Sequence, residues 1–95
     1  MTKPAAPTGV TATGSGANTV KVSWNGVTYP SSGVHYYIHY WTGSQPPTKI
    51  GPWGEDSRSA LVSPLAGGEY YCFQMTAENM GGASAKSNTA CSWVP

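Results

Sequence analysis

Charge is what this chain has least of. Asp, Glu, Lys and Arg make up 9% of its 95 residues, against about 25% in an ordinary soluble domain. With a formal net charge of only +1, nothing electrostatic draws it to nucleic acid or to an anionic membrane. Long apolar runs are missing as well: none approaches the ~20 residues needed to cross a bilayer. Met1-Thr2-Lys3-Pro4 lacks the apolar stretch of a signal peptide, so an export signal would lie outside this sequence. Helical periodicity is nearly absent, because Pro and Gly interrupt most windows.

The shortage of acids bears on catalysis. Glycoside hydrolysis usually needs two carboxylates converging about 5–9.5 Å apart, and only Glu55, Asp56, Glu69 and Glu78 are available. Glu55 and Asp56 are adjacent and point to opposite sides of an extended segment, while Glu69 and Glu78 fall toward opposite ends of one strand. All four read as solvated surface charge. His35 and His39 share a face of a strand, but roughly 13 Å apart they cannot ligate one ion. No Gly-x-Ser-x-Gly elbow, Gly-rich phosphate loop or glycosylation sequon occurs. The reading is non-catalytic, with no cofactor and no metal.

What is present is strand signal at sandwich spacing. Pro4 and Pro7 frame an extended approach to a first strand with Val10 and Ala12 inward. After a turn at Gly14–Asn18, Val20, Val22 and Trp24 share one face of a second strand. A loop over 25–33 leads to a third strand, with Tyr36, Ile38 and Tyr40 inward and His35, Tyr37, His39 and Trp41 outward. The stretch Thr42–Gly54, broken by Pro46, Pro47 and Pro52, predicts a short irregular edge strand. Strands over about 57–63 (Ala60 and Val62 inward) and 71–79 follow, and the last ends near Trp93.

Four motifs, Pro7-x-x-Val10-x-Ala12, Val20-x-Val22-x-Trp24, Tyr36-x-Ile38-x-Tyr40 and Leu65-x5-Tyr71-x-Phe73-x-Met75-x-Ala77-x-Asn79, occur in this order. In order and spacing the chain resembles a fibronectin type III domain over nearly its whole length. The resemblance implies an all-β, seven-stranded antiparallel β-sandwich of immunoglobulin-like topology over 7–95, with 1–6 as leader or linker. It implies a core of Val10, Val20, Val22, Trp24, Tyr36, Ile38, Tyr40, Leu65, Tyr71, Phe73, Met75 and Ala77, with the Tyr71 hydroxyl bonded to backbone just upstream. Gly67 stands where the family usually has Pro. The loop Asn79-Met80-Gly81-Gly82-Ala83 lacks the Arg-Gly-Asp of integrin-binding members, so integrin recognition is not implied.

Cys72 and Cys91 are placed by arithmetic. With Gly81-Gly82 as the tip of the last hairpin, paired residues sum to 163, and these two cysteines sit opposite each other, within reach of a disulfide. The alternative is two unrelated thiols. A bridge would stabilise the fold by ~3 kcal/mol for an ~18-residue loop, and it implies an oxidising, extracellular or cell-surface location.

Parity also sorts the aromatic residues. In the family's strand order, Tyr37, His39, Trp41, Gln74, Thr76 and Trp93 would share one outer sheet surface, with Tyr29, Trp53 and Met80 as loop candidates. Such a face could cover its own sheet, contact a neighbouring domain or another protein, or stack on sugar rings. The expected function is an extracellular spacer or protein-interaction module, monomeric, partnered by neighbouring domains of the same polypeptide. A carbohydrate-binding module for polysaccharide is the second reading and a catalytic domain a remote third. The Gly/Ser/Thr-rich, charge-poor composition is similar to that of modules appended to secreted bacterial polysaccharide-degrading enzymes.

Overall fold

The computed structural model describes residues 3–27 and 33–95. Eight strands form two antiparallel sheets, with no helix among the described residues. β1 (Thr8–Gly14), β2 (Val20–Asn25) and β5 (Ser59–Val62) make the smaller sheet, in the order β1-β2-β5. In the larger, β4 (Thr48–Trp53) lies beside β3 (His35–Thr42), which pairs with β6 (Tyr70–Asn79). β6 pairs on its other side with both β7 (Gly82–Ala83) and β8 (Ala90–Trp93).

Alternation makes the core. Val20, Val22 and Trp24 from β2 face Tyr36, Ile38, Phe73, Met75 and Ala77 from the larger sheet, and all are buried. Of the expected core only Tyr40 departs: it is half-buried, its ring 6.1 Å from Tyr71 and 6.2 Å from Phe73 at the margin of the sandwich. Val27, Val34 and Val94 complete the core outside the alternating runs. Trp24 lies 5.6 Å from Tyr36. Its indole N–H has no hydrogen-bond partner among the described residues, so its contribution is ring area. The Tyr36 hydroxyl accepts a 2.9 Å bond from the buried Val27 N–H.

Two expectations need correction. The seventh strand is two: pairs across the last hairpin sum to 161 at its tip (Glu78 with Ala83) and to 163 at its base (Cys72 with Cys91). The turn is therefore Met80-Gly81, one residue earlier than read, and 84–89 absorbs the two-residue slip. Two serines bridge the gap. Ser84 N–H donates to the Ala77 carbonyl and Ser87 N–H to the Met75 carbonyl, while their hydroxyls accept from the Ala77 and Met75 N–H groups at 2.9 and 2.8 Å. The edge strand β4 is irregular as expected but longer, six residues, with a register shift opposite Tyr37 in the stretch that holds Pro52. Gly51 sits at that shift with φ +134°, where a Cβ would come within 2.9 Å of the Tyr36 carbonyl and the Tyr37 ring. As expected, the Tyr71 hydroxyl bonds backbone just upstream, accepting from the Ala66 N–H at 3.2 Å.

The sheets are joined at their margins. The Asn88 amide pairs with the backbone of Val10, accepting from its N–H at 3.1 Å and donating to its carbonyl at 3.0 Å, where β1 shifts register against β2. Asn18, in the left-handed region at φ 58°, ties the opposite pole together. It exchanges backbone and side-chain bonds with Leu65 and donates its N–H to the Pro95 carbonyl.

Candidate functional site

The outer face of the larger sheet carries the residues that parity assigned to it. Register sets Tyr37 beside Thr76, His39 beside Gln74, and Trp41, Cys72 and Cys91 in one row. Depth separates them. Thr76 is buried, 3% exposed, because the half-buried His39 ring lies over it, Nε2 to Oγ1 at 2.9 Å. The Tyr37 ring is covered by the Lys49 ammonium, 4.4 Å from its centroid. Lys49 in turn pairs with Glu78 at 2.6 Å, so Glu78 is not a merely solvated charge. Gln74 donates to the Thr89 hydroxyl at 2.8 Å.

This half of the face carries its charge. Burial holds the His39 pKa below its ordinary 6.5, Lys86 and Lys49 push it the same way, and Glu78 opposes them. Gly33, His35, Tyr37, Glu78, Asn79 and Met80 line an open cleft of about 250 Å³ here. Met80, at the hairpin tip, is 92% exposed. Trp53, expected in a loop, stands on β4 half-buried with its ring 6.4 Å from Trp24; the longer edge strand carries it inward. Tyr29 lies outside the described residues.

The other half is neutral and aromatic. The Cys72–Cys91 disulfide forms between directly opposed residues of β6 and β8. One row further along, Tyr70 pairs with Trp93, ring centroids 4.9 Å apart. These two are 46% and 66% exposed, whereas Trp41 is half-buried. Tyr70 was missed because it precedes the corner tyrosine and reads as part of the turn; its parity with Cys72 is the signal that finds it. Among the described residues no group of three His, Cys, Asp or Glu side chains could hold a metal ion.

The sequence model of the fibronectin type III domain matches residues 5–91. The chain belongs to the fibronectin type III family. Such domains are commonly non-catalytic modules of multidomain proteins, and the chain shares its fold with several solved ones. An Fn3-like protein from Clostridium thermocellum is 27% identical, with a TM-score of 0.80, over 99% of this chain and 96% of that one. The fn3 domain of human contactin 1 has a TM-score of 0.86 at 20% identity, over 99% and 81%. In the FN1–FN3 domains of chicken CNTN1, the match covers 95% of this chain but 32% of that one, with a TM-score of 0.84 and 24% identity. Among curated proteins none matches the sequence. The Cys72–Cys91 bridge lies within the larger sheet, between β6 and β8, and neither cysteine belongs to the hydrophobic core.

Proposed function

We propose that this fibronectin type III domain is a non-catalytic extracellular spacer that holds neighbouring domains of one polypeptide apart. The observation that carries this reading is where the chain passes in and out. Lys3 lies against Gly82 at the hairpin tip. Pro95 lies against Gly14 and accepts from Asn18 at the opposite pole. Between those poles runs β6, ten residues or ~30 Å long, along a molecule 42 Å in its longest dimension. A polypeptide threading the domain therefore leaves at the far end from where it came. The Cys72–Cys91 bridge supports the extracellular setting, since such bonds persist in oxidising compartments.

Small-angle scattering of two copies joined in tandem by their natural flanks tests the spacer. The expected maximum dimension is close to twice the 42 Å long axis. A particle folded back to little more than one module's length would overturn the reading.

A further inference from the structure

The outer face of the larger sheet is divided along its strands. Toward the hairpin tip its outward positions include His35, His39, Lys49 and Glu78. Toward the other pole they are Trp41, Tyr70, Cys72, Cys91 and Trp93, none charged, and Gln74 stands at the boundary, in one row with His39 and Lys49. Glu69, the nearest acid along the chain, has the opposite parity. The neutral half presents two open rings, Tyr70 and Trp93, and a third, Trp41, across the disulfide row. The disulfide locks β6 to β8 beneath them, so the rings are held on a fixed floor.

We propose that this neutral half is a docking platform for a neutral polysaccharide chain. A pyranose ring has an apolar C–H face that stacks on an aromatic ring and a rim of hydroxyls that seeks uncharged hydrogen-bonding groups; Gln74 and Thr89 supply such a rim beside Trp41 and the disulfide. Size decides against a protein partner. From Tyr70 to Gln74 is roughly 13 Å along the strand and from β3 to β8 roughly 10 Å across. That footprint is a small part of the ~800 Å² per partner that a stable protein interface buries, but it accommodates a few sugar units laid flat. A polyanionic glycan would be drawn instead to Lys49 and Lys86, outside this half. The platform goes beyond the spacer role, and either can fail without the other.

The test is calorimetric titration of the domain with cellohexaose, xylohexaose and chitohexaose, with polygalacturonate and heparin in parallel. The expected result is saturable binding of at least one neutral oligosaccharide, weakened about ten-fold by Trp93→Ala through loss of one stacking ring. Tyr70→Ala, a second exposed position, should weaken it too, and both variants should remain folded, with melting temperatures lowered only by loss of the Tyr70–Trp93 ring contact. The proposal is overturned if no neutral sugar binds at millimolar concentration, or if only the anionic polymers bind. It is equally overturned if both variants bind as tightly as the parent, or if the face instead mediates a concentration-dependent dimer that Trp93→Ala dissociates.

Discussion

Two aromatic residues of the core do different work, and side-chain substitutions separate them. Tyr36 Oη is the partner of a buried backbone N–H, that of Val27, so Tyr36→Phe leaves a donor unsatisfied and should cost about 1–3 kcal/mol. Trp24 donates no bond among the described residues. Trp24→Phe therefore forfeits only ring volume, whereas Trp24→Ala empties a core site and should cost about 3–5 kcal/mol. Denaturant melts of the three variants check the order, with Trp24→Ala the most damaging. At the same scale, His39 makes stability depend on pH. Its folded-state pKa lies below 6.5, so as pH falls through the unfolded value the unfolded chain takes up the proton first. Its contribution is complete above about pH 6.5 and is lost as pH drops toward the lower folded value. The melting temperature should fall between neutrality and pH 5, less steeply in His39→Gln; identical pH profiles would contradict this.

Among the elements, the strands with strict alternation were legible. Val20, Val22 and Trp24, or Phe73, Met75 and Ala77, declare a face by period alone, and burial follows. The last strand was not, because Ser84 and Ser87 hold it to β6 through hydroxyl-to-backbone bonds that leave no periodic mark. Arithmetic on the hairpin reached the right cysteine pair from a tip placed one residue late; the two-residue slip over 84–89 compensated. On the outer face, parity found the side but not the depth. Thr76 is buried by His39 and the Tyr37 ring is covered by Lys49, both contacts between residues far apart in sequence. Ser87→Ala isolates the role of the slipped segment. It strips the buried Met75 N–H of its acceptor and should cost about 1–3 kcal/mol, with amide exchange at Met75 accelerating. Unchanged protection at Met75 would show that another acceptor takes over.

For the molecule as a whole, the disulfide joins the fold to the proposed setting. It closes a loop with a sequence separation of 19, worth about 3 kcal/mol by the entropy of the unfolded chain and less if the hairpin persists there. Reduction should lower the melting temperature while leaving the sandwich folded, since the core contains neither sulfur. The family and its sheet topology come from hydrophobic pattern; the proposed location rests on this one bond. The most direct measurement is peptide mapping, without reduction, of the protein isolated from its natural source. The account predicts a single linked pair of peptides joining Cys72 to Cys91, lighter by two hydrogens than the separate thiols. Free, alkylatable cysteines in the folded protein would contradict both the bridge and the extracellular role built on it.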